Sequence, residues 1–141
     1  MATAFAGVAI LADLGLGFPR DLNVPRPESL LFYPVMGFVA EIVLQVFPLA
    51  VLLTVLNRLV EDVSAERRIR ISIVAVSLLE PIFQVTVGST GRPLLDGFVF
   101  LHVFAFCLVQ LAVFRRFDFV SMYVFRLVYY LYWHIIWGYF R

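Results

Sequence analysis

Leu30-Leu-Phe-Tyr-Pro-Val-Met-Gly-Phe-Val-Ala-Glu41-Ile-Val-Leu-Gln45-Val-Phe-Pro-Leu-Ala-Val-Leu-Leu-Thr-Val-Leu56 carries a single charged residue, Glu41. At 1.5 Å per residue it makes about 40 Å of helix, and a membrane core about 30 Å thick needs about 20 apolar residues to cross it. The stretch therefore reads as a transmembrane helix. Three further runs repeat the pattern, from Ile71 to Val87, from Leu94 to Phe114 and from Phe119 to Phe140. Composition agrees. Of 141 residues 62% are hydrophobic and only 15% charged, against about 45–50% and about 25% in soluble domains. A chain this short has too much surface to hide that excess inside a soluble globule.

Charge delimits each run. Arg26 and Glu28 precede the first. Arg58, Glu61, Asp62, Glu66, Arg67, Arg68 and Arg70 fill the first connection, Gly88 to Pro93 the second, and Arg115, Arg116 and Asp118 the third. Short connections make consecutive helices antiparallel neighbours. The expected fold is all-α, an integral membrane bundle of four transmembrane helices over residues 29–141, preceded by an N-terminal interfacial or re-entrant segment and turn over residues 1–28. Residues 2–18 are apolar but interrupted by Asp13 and glycines, and lack the basic start of a signal peptide. Pro19 to Pro27, with three prolines, reads as a surface turn at headgroup level. Arg58, Arg67, Arg68, Arg70, Arg115 and Arg116 lie on one side, against Arg20, Arg26, Arg92 and Arg141 on the other. This bias places both termini outside. The net charge of +1 gives no general attraction to nucleic acid. The lipid bilayer is the expected partner, together with other membrane proteins.

Ionisable groups at membrane depth are costly and mark candidate sites. Glu41 and Gln45 lie one turn apart in the first helix, and Glu80 and Gln84 one turn apart in the second. Each pair shares a helix face. His102 and Gln110 follow in the third helix, Arg126 and His134 in the fourth. Counting along the helices puts Glu41 about 16 Å and Glu80 about 14 Å from their helix ends, close to the midplane. His102 falls about 12 Å and His134 about 9 Å from one side, and Arg126 about 10 Å from the other. Turned inward, these faces would gather two carboxyls, two imidazoles and a guanidinium into one polar cluster with Gln45 and Gln84. Pro48 and Pro81 would free the carbonyls of Leu44 and Ser77 beside the two glutamates. Cys107, the single cysteine, sits in an apolar run and reads as a small buried hydrophobe. No HExxH or CxxC spacing is present, so no metal site is expected. The Tyr129–Phe140 aromatics read as an interfacial belt.

The order of these features resembles the CPBP family of intramembrane endopeptidases, the CAAX-protease and bacteriocin-processing type, whose four-helix core carries EExxxR, FxxxH and HxxxN in successive segments. Ala40-Glu41-Ile-Val-Leu-Gln45 looks like EExxxR with the first Glu and the Arg replaced. Glu80-Pro-Ile-Phe-Gln84 falls where FxxxH would be, and Arg126-Leu-Val-Tyr-Tyr130 where HxxxN would be. In another register Phe98-Val-Phe-Leu-His102 is a literal FxxxH, and His134 is followed by Gly138 rather than Asn. The family is thought to activate water with glutamate and histidine. Here Gln84 and Arg126 hold both histidine positions, and neither side chain can act as a base. The resemblance thus implies a CPBP-like core without protease activity, binding or docking within a larger membrane assembly, and an integral protein of a prokaryotic cytoplasmic membrane. The alternative keeps hydrolysis, with Glu41 or Glu80 as general base and His102 or His134 as its partner. A third reading makes His102 and His134 axial ligands of a haem or chlorophyll-type pigment.

Overall fold

The computed structural model describes residues 1–19, 23–60 and 62–140. Arg20, Glu61 and Arg141, which entered the charge pattern above, lie outside them. The described residues form helices without strands. We number these α1 (Ala2–Leu16), α2 (Ser29–Leu59), α3 (Ala65–Val87), α4 (Pro93–Arg116) and α5 (Phe119–Phe140). The last four are each long and apolar enough to cross a membrane. Their ends follow local chemistry. Ser64 and Asp118 cap α3 and α5 by accepting the backbone N–H of Arg67 and Ser121. Those bonds also hold the exposed Asp118 carboxyl below the usual carboxylate range. Pro93 opens α4, where its missing N–H costs nothing. Arg68 closes α2 by donating to the carbonyls of Val60 and Val63 at 2.9 and 2.6 Å.

The four long helices pack antiparallel, with α2 against α3, α3 against α4, α4 against α5, and α5 back against α2. Their outward faces are apolar: Leu31, Val87, Leu94, Leu101 and Val120 are all exposed. A surface of that kind is stable only against lipid. Buried side chains are few and often small or polar, with Ser72, Ser77, Glu41, Gln45, Gln110 and Arg126 at the centre. Small residues at helix contacts are how membrane bundles bring backbones close.

Two breaks in regular geometry fall at the prolines flagged in the sequence. The turn over Glu41–Val46, just before Pro48, widens into π-helix, and α3 is interrupted at Leu78, three residues before Pro81. A proline ring collides with the carbonyl four residues back, so the chain before it must widen or bend. Both distortions sit beside a buried glutamate.

The N-terminal segment, for which an interfacial or re-entrant course is expected, is an apolar helix lying lengthwise along α5. Ala2, Ala6, Ala9 and Asp13 form its buried face. Phe5 meets Phe125 with ring centroids 6.3 Å apart, and the Trp137 indole N–H donates to Asp13 at 2.7 Å. The two helices therefore run parallel. Fifteen residues give α1 about 22 Å, less than a full span. Arg92, in the α3–α4 connection, donates to the carbonyls of Leu16 and Gly17 at 2.5 and 2.7 Å, capping the end of α1.

Candidate functional site: an ion cluster beside a cavity

Arg126 projects from α5 into the centre of the bundle, where it is only 1% exposed. Its stem passes the backbone of α2 at Gly37, where a Cβ would stand 3.1 Å from the Tyr130 ring and 3.3 Å from Arg126 Cδ. Every guanidinium N–H finds an acceptor. Nε donates to Glu41 Oε1 at 2.8 Å, Nη1 to Glu80 Oε1 at 2.7 Å and to the Tyr130 hydroxyl at 3.1 Å, and Nη2 to Glu80 Oε2 at 2.7 Å and to Gln110 Oε1 at 2.8 Å. That exhausts the donors an arginine has. One side chain thus ties all four long helices together.

The amides complete the network. Gln110 Nε2 donates to Glu41 Oε1. Gln45 Nε2 is shared between Gln110 Oε1 at 3.0 Å and Glu80 Oε2 at 3.3 Å, and the Cys107 thiol also donates to Glu80 Oε2 at 3.3 Å. Gln84, one turn from Glu80 and half-buried, donates to Glu80 Oε1 at 3.4 Å. Two acceptors remain without a hydrogen-bond partner although buried: Glu41 Oε2 and Gln45 Oε1. Formally the cluster sets two carboxyls against one guanidinium.

The two glutamates, Gln45, Gln84 and Arg126 come together as the helix faces suggest. The histidines do not join them, which corrects the five-group cluster read from the sequence. His102 and His134 each lie eight residues from Gln110 and Arg126 along their helices, about 12 Å nearer the α3–α4 connection. His102 stacks on Phe98 at 5.3 Å and meets the Tyr129 hydroxyl through Nε2 at 3.3 Å. His134 stacks on Tyr33 at 4.3 Å and meets Asn23 Oδ1 through Nδ1 at 2.7 Å. Among the described residues no three His, Cys, Asp or Glu side chains gather as a metal site requires.

Sequence reasoning marks Gln110 as a polar residue of its helix but leaves it, with Cys107 and Tyr130, out of the cluster, although spacing points to all three. Cys107 and Gln110 are three apart on one face of α4, and Tyr130 lies one turn beyond Arg126. Cys107 is fully buried, as read from its apolar run, but its thiol serves the ion cluster.

Beside the cluster lies a cavity of about 370 Å³ between α1, α3, α4 and α5. Glu80, Gln84, Arg126 and Tyr130 form its inner end, His102, Tyr129 and His134 its polar flank, and Phe83, Phe98, Phe106 and Trp133 its walls. It extends to Thr90 and Asp96 at the α3–α4 connection, and α1 closes it with Ala9. Glu41 is not among its lining residues. Comparison with protein-family models, with curated proteins and with solved structures finds no match for this chain.

Proposed function

We propose that this chain is a non-catalytic multi-pass membrane protein with a CPBP-like core, and that it binds a membrane-soluble molecule, or an apolar segment of a membrane partner, in the cavity beside its ion cluster. The observation that carries this reading is the saturation of Arg126. Water activation needs a base facing the substrate and a second group for the developing negative charge. Both oxygens of Glu80 are held by Arg126, and Glu41 is 0% exposed and off the cavity. His102 faces the cavity with a tyrosine hydroxyl on Nε2 rather than a carboxylate. A guanidinium with no uncommitted N–H offers nothing to an oxyanion. What remains open is an aromatic-walled cavity with neutral hydrogen-bonding groups between the ion cluster and Asp96 at the α3–α4 connection, the usual form of a small-molecule site.

The competing peptidase reading is tested by incubating the purified protein with membrane-embedded reporter peptides, wild type against Glu41→Gln, Glu80→Gln and His102→Ala. Equal background in all four is expected. Cleavage that disappears in a variant retaining its native elution volume would overturn the binding assignment in favour of hydrolysis. An absorption spectrum of the same preparation addresses His102 and His134 as pigment ligands. Only the protein's aromatic band is expected, and a Soret or chlorin band would promote that third reading.

A further inference from the structure

Resting on the binding reading above, we propose that the cavity takes the headgroup of an uncharged, flat-ringed lipid of the quinone class, its tail leaving past the outer half of α3 into the bilayer. The first argument is charge. An anionic headgroup would need a cation with an N–H to spare, and all five of Arg126's are committed. A cationic headgroup would need a carboxylate: both oxygens of Glu80 already accept from Arg126 and its neighbours, and Asp96, at the connection end of the cavity, spends Oδ1 on Thr90 and Oδ2 on Ser89. A charge brought there would be desolvated without a partner, the most costly form of burial.

Between the ion cluster and Asp96 the cavity offers neutral polar groups. Gln84 uses one N–H on Glu80, and its amide retains a second N–H and a carbonyl oxygen. His102 spends Nε2 on Tyr129, and its ring has a second nitrogen. An imidazole and a primary amide can serve either a carbonyl acceptor or a hydroxyl donor, so both quinone and quinol forms find partners. The walls suit a ring. Phe98 and His102 lie nearly parallel, 19° apart, and Phe83, Phe106 and Trp133 add further faces.

The way in is lateral. The outer half of α3 packs chiefly on α4, and Phe83 and Val87, both lining the cavity, are exposed on the lipid side. From Glu80 to Gly88 the cavity wall is about 12 Å long, enough for one ring system and the first part of a chain. The tail then continues in lipid and loses no contact with its own solvent.

Trp133 lies in the cavity wall and makes tryptophan fluorescence a direct readout, because quinones quench it at short range. Decylubiquinone is titrated into the full chain in detergent, with decanoate and decyltrimethylammonium as charged competitors of the same tail length. Saturable quenching at one quinone per chain is expected, about tenfold weaker in His102→Ala and Gln84→Leu and lost in Val103→Phe, which fills the cavity. Circular dichroism and elution volume establish that each variant is folded. Displacement of the quinone by either charged competitor at equal or lower concentration would overturn the neutral-headgroup proposal and leave the cavity as a binding site. Quenching that rises linearly and equally in wild type and Val103→Phe would reject both the proposal and the binding reading beneath it.

Discussion

Arg126 holds Glu80 across the diagonal of the bundle through two parallel N–H···O bonds of 2.7 Å each, one per carboxylate oxygen. The fork geometry matters because lysine cannot reproduce it. An ammonium has three donors on a point charge, whereas this site uses five donors fixed in a plane. Arg126→Lys is expected to lower the unfolding free energy in detergent, and Arg126→Leu to lower it further, by about 3–5 kcal/mol for breaking a buried pair from one side. Neutralising the cluster as a unit, with Glu41→Gln, Glu80→Gln and Arg126→Met together, should recover most of that loss, since isosteric replacement of a buried ion pair is often close to neutral. A triple variant no more stable than Arg126→Leu would show that the pairing itself, rather than avoidance of stranded charge, sets the stability.

The bond from Trp137 to Asp13 at 2.7 Å fixes the C-terminal half of α1 on α5, and Asp13 also accepts the Phe18 N–H at 2.8 Å. A double-mutant cycle with Asp13→Ala and Trp137→Phe should give a coupling of about 1.5–3 kcal/mol, the range for a hydrogen bond to a charged group. Hydrogen exchange of the α1 amides is the accompanying readout. Faster exchange across Ala2–Leu16 with α4 unchanged is expected in either single variant, because α1 can loosen without opening the ion cluster. Unchanged α1 exchange would mean that the Ala2, Ala6 and Ala9 face alone holds the helix.

The span count makes a labelling prediction. With Cys107→Ser as background, cysteines are placed at Ala65, the first residue of α3, and at Ser89, just beyond its other end. They are expected to react with an impermeant maleimide from opposite sides of the membrane. Equal labelling from one side would refute the four-span arrangement.

How much of this was legible beforehand depended on which physical quantity set each feature. Run length and solvent set the four spans, so helix ends read from Leu30, Ile71, Leu94 and Phe119 fall within a few residues of those observed, apart from α3. It begins earlier, at Ala65, because Ser64 caps a charged first turn in which Arg67 is exposed and Arg68 folds back onto the end of α2, where hydropathy alone registers a loop. The i, i+4 pairs Glu41–Gln45 and Glu80–Gln84 gave the helix faces, and the faces gave the cluster. Depth separates what joined it from what did not: His102 and His134 share those faces but lie two turns nearer the surface. The partners of Arg126 on α4 were harder to see, since which face of an apolar helix turns inward is decided by packing against three neighbours. The wall formed by α1 had no signal in hydropathy, because its buried stripe is alanine.

The two glutamates should respond oppositely to the same substitution. Glu80 accepts both forks of Arg126 together with bonds from Gln45, Gln84 and the Cys107 thiol. Glu41 receives Arg126 Nε and Gln110 on Oε1 alone, while its Oε2 and the Oε1 of Gln45, one turn away, are buried acceptors without a donor. Glu41→Gln keeps an acceptor for Arg126 and Gln110 and leaves one carboxylate to balance one guanidinium. Glu80→Gln instead replaces an acceptor of the Arg126 fork with an amide that would point its own N–H groups at the guanidinium. Thermal unfolding in detergent should therefore show Glu41→Gln unchanged or stabilised and Glu80→Gln clearly destabilised, by about 2 kcal/mol or more as expected for a buried donor left unpaired beside a charge. Loss of stability in Glu41→Gln equal to that in Glu80→Gln would show that the unpaired oxygen is satisfied by a bond that glutamine cannot make, and would overturn the charge balance argued for the cluster.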